Sequence, residues 1–175
     1  METTKNKLSP YENDFFENLR NYIDKPIYFY GSVQRYDYFP QLSDIDIDIF
    51  TDNIGSTIIL LQNFLNVNKE DINKSFYKVD KQNKVIPGYK IKYIDKNKHL
   101  QVEISLYEDK YKQIILLEHN SKNALPFYII IPLIILKILY YKLEILPGYY
   151  YSKYKKMLTN YYYDDNKSDF FLINL

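Results

Sequence analysis

The segment Asp44-Ile45-Asp46-Ile47-Asp48-Ile49 constrains this chain more than any other. A strand sends alternate side chains to opposite faces, so the three isoleucines share one face and the three aspartates the other. The isoleucines account for themselves as core. Three carboxylates stacked on one face repel each other, and aspartate is a poor strand residue, so something must compensate them. A divalent cation does so. The nearby ligands are oxygen only, and the chain has no cysteine, so Mg²⁺ or Mn²⁺ suits the site and Zn²⁺ does not. Two such ions can clamp a triphosphate and activate an attacking hydroxyl.

Upstream, Ile27 to Tyr30 reads as a buried strand that breaks at Gly31-Ser32. Glycine lets a backbone approach a ligand closely and tolerates unusual dihedrals. A helix start just after it would favour an anionic phosphate, and the Ser32 hydroxyl would add a donor. Downstream, Leu100 to Leu106 alternates again, with Gln101, Glu103 and Ser105 on one face. An acid in mid-strand is rare unless paired or bound to metal, which makes Glu103 the candidate third carboxylate and the candidate base for an acceptor hydroxyl. Asp48 is the surplus acid, assisting or serving as a structural acid bonded to loop amides. Pairing Asp46 with Asp48 as the ligand set is the other spacing open to the motif.

Around these motifs the pattern is helix, two strands, helix, three strands, then helices. Ser9-Pro10-Tyr11-Glu12 is a capping box opening a helix to about Asp24. Gly55 to Val67 is an amphipathic helix. Three strands are expected between Ser75 and Leu106, two of them joined by a turn at Asp95-Lys96-Asn97-Lys98. Asp109 to Glu118, Pro126 to Leu146 and Tyr149 to Asn160 read as further helices, with Pro132 starting or interrupting the second. The fold class expected is α+β, a mixed sheet with flanking helices. Residues 1–120 would form the core and 121–175 a helical segment packed on it.

Gly31-Ser32, about ten residues, Ser43-Asp44-Ile45-Asp46 on a strand, and a later strand acid together resemble the DNA polymerase β-like nucleotidyltransferase superfamily, in particular its small, minimal members. The match runs roughly from Ile27 to Leu106. The resemblance implies that Gly31 and Ser32 hold the nucleotide phosphates, that Ser43 belongs to the nucleotide site, and that Asp44 and Asp46 bind metal with Glu103 completing the set. The family often has aspartate where this chain has Glu103. It implies transfer of a nucleoside monophosphate from a triphosphate, with ATP the expected donor and Mg²⁺ or Mn²⁺ as cofactor. The acceptor would be a hydroxyl on a small molecule, a protein or an RNA end. The chain lacks the added domains of larger polymerases, so processive synthesis is not expected. The alternative is a catalytically silent binding or regulatory subunit that keeps the fold.

Other features carry less. Arg35, one of only two arginines, is a candidate contact to the triphosphate. His99 and His119 lack metal-ligand spacing and are given no role. Tyr149 to Lys156 interleaves tyrosine with lysine, as a base-stacking and phosphate surface would. With 21 tyrosines in a chain rich in residues of A/T-rich codons, a solvated helix is preferred. A net charge of +1 gives no vote for nucleic acid. Phe127 to Leu146 is apolar enough to raise a membrane span, but Lys137, Lys142 and Glu144 argue for a core or interface helix, with Lys137, Tyr141 and Glu144 as its wet stripe. No integral membrane insertion is therefore expected. A helix apolar nearly all round wants cover on several sides, which points to a homodimer or partner protein through the C-terminal helices. The polar stretch Met1 to Lys7 lacks an apolar signal core, and a cytoplasmic location is expected.

Overall fold

The computed structural model describes residues 2–79, 84–163 and 170–172, with side chains described through Thr159. The first helix, α1 (Pro10–Ile23), starts as its sequence dictates. The Ser9 hydroxyl accepts from the Glu12 amide at 3.2 Å, and the Glu12 carboxylate accepts from the Ser9 amide at 2.6 Å. It ends at Asp24, which turns left-handed at φ 50°. Strand β1 (Ile27–Tyr30) follows, then a single 3₁₀ turn over Gly31–Gln34 and strand β2 (Ile45–Thr51). Helix α2 (Ile54–Leu65) is capped by Asn53, whose side-chain oxygen accepts from the Ser56 amide.

Strands β3 (Ile72–Val79), β4 (Lys84–Asp95) and β5 (Leu100–Glu108) come next. In the β4–β5 turn, one Asp95 carboxylate oxygen accepts from the amides of Asn97 and Lys98, the self-capping that makes aspartate a turn residue. The remaining elements are α3 (Lys112–Lys122), α4 (Phe127–Lys137), a π-helical turn over Ile138–Lys142, α5 (Gly148–Tyr163) and β6 (Phe170–Leu172).

The six strands form one mixed sheet in the order β1-β2-β5-β4-β3-β6. β1 and β2 are antiparallel neighbours, and β2 runs parallel to β5. The fold is α+β, as the element pattern implies. On one face, Ile45, Ile47 and Ile49 pack with Val102, Ile104 and Leu106 beneath Phe16, Leu19 and Ile23 of α1 and Leu61 and Leu65 of α2. Each fully buried isoleucine contributes about 2 kcal/mol, enough to hold the strand register against a one-residue slip. The other face carries the acids, and at the far end of β2 a second cluster of Tyr28, Phe50, Tyr77, Tyr107 and Ile115 closes it. Ile115 belongs to α3, so helices flank both faces, and the acid face is left open toward α4 and α5.

Three sequence expectations need correction. Pro132 lies inside α4 rather than starting or interrupting it. The apolar helix does not run to Leu146. It ends as α at Lys137, widens through the π turn, and closes at Glu144, which is left-handed at φ 53°. The wide turn places Tyr140 flat against Tyr151 of α5, ring centroids 4.2 Å apart. The C-terminal segment is also not purely helical, because β6 pairs antiparallel with β3 at the sheet edge. Among the described residues no single helix is long and apolar enough to cross a membrane, and the α3 and α4 regions meet at an 84° bend.

Candidate functional site

Parallel pairing of β2 with β5 sets Asp46 directly beside Glu103 and Asp48 beside Ser105. Antiparallel pairing with β1 sets Tyr30 opposite Asp46, so the Gly31 turn begins where the Asp46 carboxylate stands. Asp44 precedes the strand. A side chain at Gly31 has no room: a Cβ there would lie 2.1 Å from Asp46 Oδ2. The Gly31 backbone is also left-handed, at φ 71°. Both facts account for a glycine at this position. Gly31, Ser32, Ser43, Asp44, Asp46 and Glu103 all line one cleft of about 370 Å³ between the sheet and the C-terminal helices. It continues, past Lys155, into a recess of about 510 Å³ that adds Lys92 and Lys156 to the walls.

Burial pushes the Asp46 carboxyl up to about 7, helped by the charges of Glu103 and, less, of Asp44, while Lys155 and Lys90 pull it back. An acid only partly compensated in this way is one a hard cation would relieve. Glu103 is better provided for, because Lys90 of β4 forms an ion pair with it. Among the described residues no group of three or more histidine, cysteine, aspartate or glutamate side chains gathers closely enough to hold a metal by itself. The three acids share a cleft and a sheet face without forming a closed ligand cage.

The loop between Ser32 and Asp44 is tied down from both ends. The Ser32 hydroxyl donates to the Asp44 carbonyl at 3.4 Å, and the Ser43 hydroxyl accepts from the Phe39 amide at 3.1 Å. Arg35 forks onto Asp37 at 2.8 and 3.2 Å. Its guanidinium therefore serves this loop carboxylate, although Arg35 also lines the cleft. Lys137, expected on a wet stripe, is 2% exposed. Its ammonium donates to the Asp37 carbonyl and to Ser43 Oγ and pairs with the Asp37 carboxylate at 3.2 Å. Burial alone would raise the Asp37 carboxyl, but Arg35 and then Lys137 outweigh it and hold it below the usual range. α4 is thereby pinned to the loop that presents Asp44.

This network predicts a pH signature. Burial lowers the Lys137 ammonium to about 8, against partial relief from Asp37. The folded state then binds fewer protons than the unfolded state between pH 8 and the ordinary lysine value, so this residue makes stability rise with pH across that window. Chemical denaturation at pH 8 to 10 is expected to show wild type gaining on Lys137→Met by up to about 1.4 kcal/mol per pH unit. Parallel stability curves would show that Lys137 does not titrate there.

Three groups at the cleft or paired to its acids escape a sequence reading. Lys90 reaches Glu103 only through the β4–β5 register. Lys155 lines the cleft from α5, so the Tyr149–Lys156 segment is in part a wall of the site rather than wholly a solvated face. His119, given no role from sequence, is 5% exposed and stacks on Tyr30 with centroids 4.0 Å apart. Its Nδ1 lies 2.8 Å from Oδ2 of Asp48, a fully buried carboxylate. The contact is close but out of line for a hydrogen bond. Asp48 is thus a structural acid met by a histidine, where loop amides were one expectation. No sequence signal marked it: His119 and Ile115, one helical turn apart on α3 and both buried, make too short a face to stand out. Comparison of the chain with protein-family models, with curated proteins and with solved structures finds no match.

Proposed function

We propose that this chain is a nucleotidyltransferase of the polymerase β-like kind, moving a nucleoside monophosphate from a triphosphate, with ATP the first donor to test, to a hydroxyl acceptor. The observation that carries the reading is the Gly31 backbone set against the Asp46 carboxylate at the floor of a cleft walled by lysines. That is the geometry by which a triphosphate chain can lie along backbone while its charge is met from two sides. Asp44 and Asp46 fit a hard divalent cation, Mg²⁺ or Mn²⁺, since their donors are oxygens and the Asp46 carboxyl is only partly compensated by Lys155 and Lys90. Glu103 would join them by sharing its carboxylate with Lys90. A bound cation would neutralise phosphate charge and polarise the phosphorus under attack. The chain's own residues then divide the remaining work. Lys155, Lys156 and Lys92 attract the phosphates, and the Arg35–Asp37–Lys137 network keeps Asp44 in place.

The test is incubation of the purified chain with α-labelled ATP, CTP, GTP and UTP, with Mg²⁺ or Mn²⁺ and hydroxyl acceptors. Label transfer with pyrophosphate release supports the reading, and its absence with every donor overturns it. One observation favours the second reading, a catalytically silent nucleotide-binding subunit: Lys90 already neutralises Glu103. Saturable ATP binding without pyrophosphate release would select it. A contact with a second copy or a partner protein is supported by Phe127, Ile131 and Ile135, exposed at helical spacing along α4.

A further inference from the structure

The acceptor hydroxyl must lose a proton as it attacks, and with Asp44 and Asp46 committed to the proposed cation the cleft offers Glu103 and His119 to take it. Glu103, the acid expected to do so, is an inferior base. Lys90 is paired to it, and the proposed cation would draw on the same oxygens. Both interactions occupy the oxygens that would have to receive the proton. The second group is His119, which lines the same cleft as Gly31, Asp46 and Glu103.

The surroundings of His119 suit proton uptake. Tyr30 of β1 stacks on one face of the ring at 4.0 Å, and Tyr77 of β3 meets it edge-on at 5.4 Å, so its orientation is fixed. Asp48 of β2 lies against Nδ1, and neither Asp48 oxygen has a hydrogen-bond partner. Lys122, one turn along α3, is directed to Glu118 and to the Tyr77 hydroxyl. A buried carboxylate without hydrogen bonds is costly, and an imidazolium forming 2.8 Å away relieves it. Nε2 remains as the nitrogen that can receive a proton.

We propose that His119, oriented and charge-matched by Asp48, is the base that accepts the proton of the acceptor hydroxyl. This rests on the nucleotidyl-transfer reading and deepens it. The acceptor O–H bond breaks as its proton passes to Nε2, and the oxygen forms a bond to the α-phosphorus. The bond from that phosphorus to the α–β bridging oxygen breaks, and pyrophosphate leaves with the electron pair. The imidazolium afterwards returns its proton to solvent. His119 acts on the substrate, and Asp48 acts through His119 as a positioning residue.

The experiment measures pyrophosphate release from ATP with Mn²⁺ and glycerol as the acceptor hydroxyl, using full-length wild type, His119→Gln and Asp48→Asn. The expected result is a fall in kcat of about 10²-fold for His119→Gln and about tenfold for Asp48→Asn, with KM for ATP within about twofold. Added imidazole should restore part of the rate to His119→Gln, which a structural defect would not allow. A kcat within about twofold of wild type for His119→Gln overturns the proposal. Should that variant fail to fold, an unchanged kcat for the near-isosteric Asp48→Asn overturns it equally. Wild type that releases no pyrophosphate removes the nucleotidyl-transfer reading itself, and the base assignment with it, whereas an active wild type with indifferent variants removes only the base assignment.

Discussion

Asp46→Asn is expected to abolish nucleotidyl transfer while making the folded chain more stable above pH 7. The two effects have one source. Asp46 is held near about 7 by burial, by Glu103 and by Asp44, well above its ordinary value of 3.8. Between those values the folded state keeps a proton that the unfolded chain has released. Stability from this group therefore falls as pH rises through that window and stays low above it. Asparagine carries no such charge. At pH 8 the variant should be more stable than wild type by about 2 kcal/mol, a figure discounted from the full shift because the side chain is only half-buried. At pH 4 the two should agree. Loss of the carboxylate proposed to hold the cation should lower the transfer rate by about 10³-fold or more, since the cation that would balance the triphosphate goes with it. Thermal melts with and without Mn²⁺ separate the causes: at pH 8 the ion should stabilise wild type and not the variant. A variant no more stable than wild type at pH 8 would mean that the carboxylate is already compensated by Lys90 and Lys155.

Much of the fold could be read from local signals. The Ser9–Glu12 box fixes the start of α1, the alternation from Asp44 to Ile49 fixes β2 and the sense of its faces, and Asp95 marks the turn between β4 and β5. Each depends on a few adjacent residues and on backbone physics that acts before any tertiary contact. What the sequence concealed depends on partners far along the chain. Phe170–Leu172 is too short to announce itself as a strand, and it is one because the β3 edge is there to pair with it. The π turn after Lys137 has no composition cue. α1 and α2 pack on the face opposite the acids, whereas α3 packs on the acid face, because Ile115 and His119 supply a small apolar and aromatic face too short to stand out from sequence.

The site divides in the same way. Gly31, Asp46 and Glu103 were legible because each violates a local preference: a glycine at a strand end, an acid within a strand. Their lysine and histidine partners violate nothing. Lys90 alternates within β4 like any solvent-facing residue, and Lys137 sits in an apolar helix where a wet stripe is the ordinary explanation. Its burial follows from Asp37, an acid hidden in an irregular loop with no periodicity to reveal it. A charge in a loop is normally solvated, so nothing local marks Asp37 as the anchor of α4.

Gly31→Ala tests whether backbone and carboxylate are as tightly apposed as the cleft requires. Two penalties combine at this position. The left-handed backbone at φ 71° costs an alanine about 1 kcal/mol. The new methyl would stand 2.1 Å from Asp46 Oδ2 and 3.0 Å from its Cγ, so the carboxylate must swing away. The sum is expected at about 2–3 kcal/mol of stability, with transfer reduced about 10²-fold because the swing takes Asp46 off its position. Gly55→Ala is the internal comparison. It lies in the first turn of α2, where the nearest atom to an added Cβ is Asn53 Oδ1 at 3.8 Å, and alanine should be neutral or slightly stabilising there. The clash and the backbone strain separate in a double-mutant cycle. With Asp46→Ala the obstructing carboxylate is gone, and Gly31→Ala should then cost only its backbone term, leaving a coupling of about 1–2 kcal/mol between the two sites. Additive effects would place the Asp46 carboxylate away from the turn, and the close apposition that carries the proposed function would be absent.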